Sequence, residues 1–250
     1  MHALSLPGCG CRLAFQLATL GRLTAAGERF DLVGGASSGS LAGTAYITGR
    51  AADGPELFRA LMGTKVFSPR WLASDKSLFG MSQIVRRALE AHLPESEVAR
   101  ATTELLVSTT SLKSALGHAF HKRGRAAIHS SRRRRDWHDV LLASCTFPPF
   151  YARIPTLDGE RHIDGGITDN TLLESLSARG ATEITVITPH ADGAIYQALF
   201  HGFAPPRFPD HVRIRILAPR RRLSLQSFDF DRDRVREALE TEFVEVAPKG

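Results

Sequence analysis

Phe30-Asp31-Leu32-Val33-Gly34-Gly35-Ala36-Ser37-Ser38-Gly39-Ser40-Leu41-Ala42-Gly43-Thr44-Ala45-Tyr46-Ile47 reads as an apolar strand, a tight turn and a helix of small residues. Within it Gly35-Ala36-Ser37-Ser38-Gly39 matches the G-x-S-x-G pattern, with Ser37 in the nucleophile position. The chemistry explains the glycines. A serine on so sharp a turn takes strained backbone angles, and bulky neighbours two residues to either side would strike adjacent elements. The turn would hold the Ser37 hydroxyl clear of the sheet, at the N-terminus of a helix whose dipole and unpaired amides favour negative charge. The strand is expected at Phe30–Val33, broken by Gly34 and Gly35, and the helix at Ser40–Ile47. Ser38 is the neighbouring candidate, but Ala36 and Ser40 at its flanks fit the pattern poorly. In isolation, a glycine-rich turn with an incidental serine would read the same way.

Upstream, Ala3–Leu6 reads as a strand, Pro7–Cys11 as a loop and Arg12–Ala26 as a helix, with Leu13, Leu17, Leu20 and Leu23 at helical spacing and Gly27 as its stop. Strand–loop–helix followed by strand–turn–helix predicts a mainly parallel sheet with covering helices, a three-layer α/β/α fold. Downstream, Asp53–Leu93 reads as a helical insertion, with helices at Glu56–Met62 and Ser82–His92 joined by a loop at Ser68–Ser77. It would form a lid or one wall of a substrate groove. Strands are expected at Glu104–Thr109, Ala119–His121, Ala126–His129, Glu183–Thr188 and Val212–Leu217. Helices are expected at Asp136–Ser144, with a carboxylate favourably near its start, at Thr171–Ala178 before Gly180, and at Asp229–Val246 as a charged terminal helix. With no internal repeat and no linker rich in Pro or Gly, residues 1–250 read as a single domain, with a core over roughly 3–189 and the insertion at 53–97.

Acyl transfer through a serine also needs donors for the oxyanion and a base for the hydroxyl. Gly8-Cys9-Gly10 is a candidate for the donors, because small residues let backbone N–H groups point at developing charge; a phosphate loop or a plain turn would look alike. For the base, a Ser–Asp–His triad of the α/β-hydrolase kind would draw on His190, His201 or His211. The most distinctive acidic segment is Arg161-His162-Ile163-Asp164-Gly165-Gly166, where two glycines follow a carboxylate at the end of a strand. It would deliver Asp164 to the edge where parallel sheets carry their ligands, unless it is an ordinary Asp-Gly hairpin turn.

In that order, Gly8-Cys9-Gly10-Cys11-Arg12, Gly35-Ala36-Ser37-Ser38-Gly39 and Asp164-Gly165-Gly166 resemble the three blocks of the patatin-like phospholipases. Ala143-Ser144-Cys145-Thr146-Phe147-Pro148-Pro149-Phe150, Thr168-Asp169-Asn170 and Gly180-Ala181 through Ile187 resemble the family's flanking segments, so the likeness spans about Ala3 to Thr188. The resemblance implies a lipid acyl hydrolase with a Ser–Asp dyad and no catalytic histidine or cofactor. Ser37 would attack the ester carbonyl, Asp164 would take its proton, and the backbone amides of Gly8, Cys9 and Gly10 would form the oxyanion hole. An aspartate near its ordinary pKa of about 3.9 is a poor base for a hydroxyl, so the dyad requires a short hydrogen bond and a desolvated carboxylate. One departure matters: Cys9 stands where the family has its middle glycine. A non-catalytic lipid-binding protein of the same fold would also carry such a change. Arg12 would orient this loop or meet an anionic headgroup, or simply lie solvated at a helix start.

Composition is that of a globular chain, with 43% hydrophobic and 23% charged residues and a formal net charge of +6. Cys9, Cys11 and Cys145 show no zinc spacing and suit reduced thiols, and His118, His121 and His129 read as edge or surface residues; no set of residues has metal-ligand spacing, so no metal is expected. Pro7, Gly8, Gly10 and Arg12 interrupt any signal-like apolar run, and no stretch approaches a spanning helix. The expectation is a cytoplasmic protein, and any contact it makes with a membrane would be from the surface. Arg132-Arg133-Arg134-Arg135 beside Trp137, with Arg220-Arg221-Arg222, suits peripheral contact with an anionic bilayer as well as a solvated loop. Nucleic acid would want interleaved aromatics or a recognisable module, and neither is present. Nothing in the sequence requires an oligomer.

Overall fold

The computed structural model describes residues 1–54, 56, 58, 66–75, 78–112, 124–148, 150–151, 153–198 and 206–248. The expected helix at 56–62 (beyond Glu56 and Phe58) and strand at 119–121 lie outside them, as do His118, His121 and His201.

Short, largely apolar runs make the strands. These are β1 (His2–Leu6), β2 (Leu32–Ala36), β3 (Glu104–Leu112), β4 (Gly124–Ser130), β5 (Thr156–Leu157), β6 (Glu160–Asp164), β7 (Glu183–Ile187), β8 (Arg213–Pro219) and β9 (Phe243–Val246). β3, β2, β1, β7 and β8 lie side by side and parallel. Leu4, Leu6, Val33, Leu105 and Val107 face one side, and Ala3, Leu32, Leu106, Ile184 and Val186 the other. Both faces are covered, which is why the central strands run almost continuously apolar. The first face packs α1 (Leu13–Ala25), α2 (Ser38–Ile47) and α6 (Trp137–Cys145), among others. The second packs Leu173 and Leu176 of α7 (Leu173–Ala178). The result is the expected three-layer α/β/α arrangement. Between β2 and β3 stand α3 (Trp71–Asp75), α4 (Met81–His92) and α5 (Glu95–Arg100), and α8 (Arg232–Glu240) precedes β9.

Several elements differ from expectation for physical reasons. Gly34 and Gly35 do not break β2; both lie inside it. Their lack of a side chain serves the close approach of helices, since a Cβ on Gly35 would stand 2.8 Å from the Ser40 Cα and one on Gly34 3.2 Å from Leu172 and Leu176. The terminal segment is not one helix. Asp231 accepts the Asp233 and Arg234 amides and starts α8, which ends at Glu240; Phe243-Val244-Glu245-Val246 then adds antiparallel to β8, as its alternation of β-formers favours. The loop at Ser68–Ser77 contains the short α3.

Trp137, next to the arginine run, is 1% exposed and points its indole N–H at the Thr44 hydroxyl, so it anchors α6 to α2 rather than facing an interface. His129 is likewise buried, not at the surface, sharing the Thr109 hydroxyl with His162. Asp136 stands at the α6 N-cap, but its carboxylate is held by Arg134 at 2.6 Å.

The tightest helix-to-sheet contact in this part of the fold is at Gly39, where a Cβ would fall 1.9 Å from the Leu6 carbonyl oxygen. Gly39→Ala is therefore expected to cost about 3 kcal/mol or more, read as a fall in the denaturant midpoint with unchanged slope.

Candidate active site

β3 has nine residues, and its two edges are used unequally. β4 occupies one edge over Leu106–Leu112. β2 pairs with Glu104–Ser108 and β6 with Thr109–Leu112, each overlapping β4, so both must lie on the opposite edge. There β2 runs parallel to β3 and β6 antiparallel, and the two strands meet head-on: Ala36 stands opposite Ser108 and Asp164 opposite Thr109. The residue that follows β2 and the residue that ends β6 therefore arrive at one point from opposite directions. The Ser37 hydroxyl donates to Asp164 Oδ2 at 2.6 Å, across 127 residues of sequence.

Ser37 has φ 49° and ψ −129°, a strained conformation for a residue with a side chain, costing on the order of 1–3 kcal/mol. Neighbours hold it there. Its N–H donates to the Ser144 hydroxyl at 2.8 Å, and its carbonyl accepts from the Ser40 hydroxyl at 2.6 Å. It stands at the N-cap position of α2, without a side-chain capping bond, so the hydroxyl lies at the positive end of the helix. Asp164 is buried, and its second oxygen, Oδ1, accepts the Gly166 N–H at 2.8 Å. Burial raises its pKa to about 6, against the lowering effect of those two hydrogen bonds. The Asp-Gly hairpin lies elsewhere, at Asp158-Gly159 between β5 and β6, where both residues have positive φ.

The glycine loop lies across Ser37. A Cβ on Gly8 would stand 2.7 Å from the Ser37 Cβ, and Gly10 has φ +61° with the Ser227 carbonyl 2.1 Å from where a Cβ would be. Cys9 has φ −148°, ordinary for any residue, and its sulfur lies 3.6 Å from the Ser38 hydroxyl. The middle position is thus the one with room for a side chain, and this accounts for the departure there. The three amides differ. Gly8 N–H donates to Asn170 Oδ1 at 2.9 Å and Cys9 N–H to the Ser38 hydroxyl at 3.0 Å, whereas among the described residues no acceptor meets the Gly10 N–H. Arg12 ties the loop down by donating from Nη2 to the Ser227 hydroxyl at 2.8 Å.

Ser37, Asp164 and the loop line a cavity of about 460 Å³ whose other walls are mostly apolar, among them Leu41, Val85, Phe79, Phe150 and Phe230. Phe67 and Phe228 line it too, although 60% and 53% exposed. Burial pushes the thiols of Cys9, to about 11, and of Cys11, to about 12, so neither is a nucleophile near neutrality. Of the histidines weighed for a triad, His211 meets the Ser177 hydroxyl and His190 stacks edge-on against Tyr196; neither ring hydrogen-bonds Ser37 or Asp164. Among the described residues no cluster could hold a metal ion, and no helix is long and apolar enough to cross a membrane.

Ser144 and Asn170, which brace Ser37 and the loop, escaped sequence reasoning as site residues. The signal for both lay in the flanking segments Ala143–Phe150 and Thr168–Asn170, which carried a likeness but no role.

The family model for patatin-like phospholipase matches residues 4–177. Patatin-like phospholipase domain-containing protein 2 of Rattus norvegicus is 31% identical over 144 residues, 57% of this chain and 28% of that protein. The Mus musculus protein of the same name gives the same figures. The match thus spans only 28% of the length of these relatives. Among solved structures, VipD from Legionella pneumophila covers 74% of this chain and 49% of its own at 14% identity, with a TM-score of 0.44. Human GIVD cytosolic phospholipase A2 covers 52% of this chain and 22% of its own at 19% identity, with a TM-score of 0.36. The family match takes in the glycine loop, the serine turn and Asp164 together, and on it the chain belongs to the patatin-like phospholipase family.

Proposed function

We propose that the protein hydrolyses fatty-acyl esters of lipids through a serine acyl-enzyme, as a single domain in which Ser37 is the nucleophile and Asp164 the base. The observation that carries this is the 2.6 Å hydrogen bond between the two, on the wall of an apolar cavity. Ser37 Oγ attacks the carbonyl carbon as its proton passes to Asp164 Oδ2. Collapse of the tetrahedral intermediate releases the alcohol, which takes that proton. Water, deprotonated by the same carboxylate, then frees the fatty acid. A carboxylate with pKa about 6 is ionised at neutral pH yet more basic than a solvated one, which suits both steps.

The oxyanion is met first by the Gly10 amide, which has no other acceptor among the described residues, and by the helix end at Ser37. The Gly8 and Cys9 amides join it if Asn170 and Ser38 release them. A binding protein without turnover is the reading in which they are not released. Reaction of Ser37 with a fluorophosphonate separates the two.

An acyl chain fits the cavity, whose walls offer it dispersion contacts and little polar competition. Contact with a lipid surface belongs at this mouth rather than at the arginine run. Exposed Phe67 and Phe228 flank the cavity, and exposed Leu72 and Leu78 lie in the same segment as Phe67. By contrast, Arg132 and Arg134 are engaged by Glu104, Asp136 and Asp158. The test is a panel of phospholipid, lysophospholipid and acylglycerol with products identified by mass. Free fatty acid from at least one class is expected, and none from any class with folded protein would overturn the proposal.

A further inference from the structure

The parallel sheet carries a second hollow at the same edge as Ser37. β1, β7 and β8 are neighbours, and the chain leaves their C-terminal ends through Pro7–Arg12, Thr188–Tyr196 and Arg220–Gln226. These exits enclose a basin of about 490 Å³, on the far side of β1 from β2 and the serine turn. Neither Ser37 nor Asp164 lines it. A smaller hollow of about 260 Å³ shares Arg12, His190 and Tyr196 with the basin and runs on to Gly8, Cys9 and Asn170. The glycine loop is therefore a wall between two cavities: the mostly apolar one holds the dyad, and the other has polar and apolar lining in balance.

Open α/β sheets take ligands in crevices at the C-terminal ends of their strands, and the charge here says what kind. Arg12 and Arg222 both line the basin, and among the described residues neither has a carboxylate partner. Every other arginine weighed above as a basic run, save Arg133 and Arg135, is paired. Arg12 Nε is buried and meets no acceptor, although its Nη2 is used by Ser227. His190 on the same wall is held down to about 4, by burial first and then by the Arg12 charge. The acidic side chain of the lining is Asp192, exposed at the rim, whose Oδ1 accepts the Ala194 amide at 3.1 Å.

We infer that this basin binds a small phosphate monoester through Arg12 and Arg222, and that its occupancy sets the glycine loop over Ser37. Two guanidinium forks suit a dianion with three free oxygens, and the volume exceeds what a bare ion fills. Coupling runs through Ser227. Its hydroxyl accepts from Arg12 Nη2 and its carbonyl accepts the Cys11 amide at 2.8 Å, while Phe228, the next residue, lines the acyl cavity. An anion that draws Arg12 away from Ser227 shifts the loop and Phe228 together. The binding half stands on the basin alone; the coupling half rests on the hydrolase reading of Ser37. The phosphate comes either from a soluble phosphorylated molecule or from a lipid headgroup.

The test uses glycerol 3-phosphate with glycerol as control, by calorimetry. In parallel, vesicles of phosphatidylcholine with and without phosphatidic acid are followed by co-sedimentation. At least one phosphate-monoester probe is expected to bind saturably, and to bind tenfold or more weakly to Arg222→Ala, with Arg222→Lys between. The soluble probe alone identifies a free ligand, and the vesicles alone a headgroup. Because an anion favours a charged ring nearby, the His190 NMR titration should move up in pH on binding. Turnover of a soluble nitrophenyl ester should change at least twofold at saturation in the natural protein. Arg222→Ala should keep its basal turnover and lose the response. Absence of binding to both probes, or equal binding by a folded Arg222→Ala, overturns the site. Arg222-dependent binding with no change in turnover overturns the coupling. Binding by a protein with no esterase activity at all strikes the hydrolase reading and leaves the site standing.

Discussion

Ser37→Ala is expected to lower kcat toward a nitrophenyl acyl ester by at least about 10⁴-fold while the circular dichroism spectrum stays unchanged. The size of the loss follows from the surroundings. The nearest other hydroxyls are already committed: Ser38 accepts the Cys9 amide, Ser144 accepts the Ser37 amide, and Ser40 donates to the Ser37 carbonyl. Freeing one to act as nucleophile would undo the turn. Cys9 and Cys11, which share the cavity, are thiols rather than thiolates at neutral pH. Alanine tolerates positive φ no better than serine, so the backbone strain is unchanged. What disappears from the fold is one hydrogen bond to a buried carboxylate, worth roughly 1–3 kcal/mol. A folded alanine variant that retains turnover ends the dyad reading.

The second large effect is Asp164→Asn, expected to remove at least about 10³-fold of kcat/KM and yet to stabilise the protein at pH 8. An amide occupies the same space, and its oxygen still accepts the Gly166 N–H, but it cannot take the serine proton. The stability effect comes from the raised pKa. Burial disfavours the charged form in the folded state, so the stability this group contributes is fully present below the unfolded pKa of about 4 and is lost as pH rises through about 6. At pH 8 the natural protein carries a buried negative charge that the amide lacks, a difference on the order of 2 kcal/mol. At pH 4 the two proteins should unfold at nearly the same denaturant concentration. On the proposed mechanism the same group is expected to set the acid limb of the natural protein's turnover: kcat/KM should fall tenfold per unit below pH about 6. A stability loss at pH 8, or an acid limb near 4, would mean that the carboxylate is solvated.

What the sequence made legible was local. The strand, turn and helix around Ser37 are contiguous, and their spacing and glycines are enough to place α2 and the serine at its start. α1 and its stop at Gly27 follow from the same kind of periodicity. The misreadings occur where distant residues decide. Gly34 and Gly35 look like strand breakers until α7 and α2 are seen to press on them. Trp137 looks interfacial beside four arginines, but Thr44, 93 residues earlier, receives its indole N–H. Residues 243–246 carry enough charge nearby to pass for helix, and only the free edge of β8 recruits them as a strand. Within the site, short motifs supplied Ser37, Asp164 and the loop as candidates, and the resemblance implied their roles. Asn170 and Ser144 act across 162 and 107 residues, a separation that no window of sequence spans.

The head-on meeting of β2 and β6 bears on how the molecule comes into being. The alcohol lies in the first sixth of the chain, and its carboxylate emerges only after residue 160, so a ribosome-bound fragment shorter than that holds one partner without the other. β6 pairs with β3, so β3 must be in place before the later strand has a template to dock on, and β2 beside β3 before the two partners can meet. An unfinished chain therefore lacks the paired alcohol and carboxylate, and the pair arrives as a property of the completed sheet.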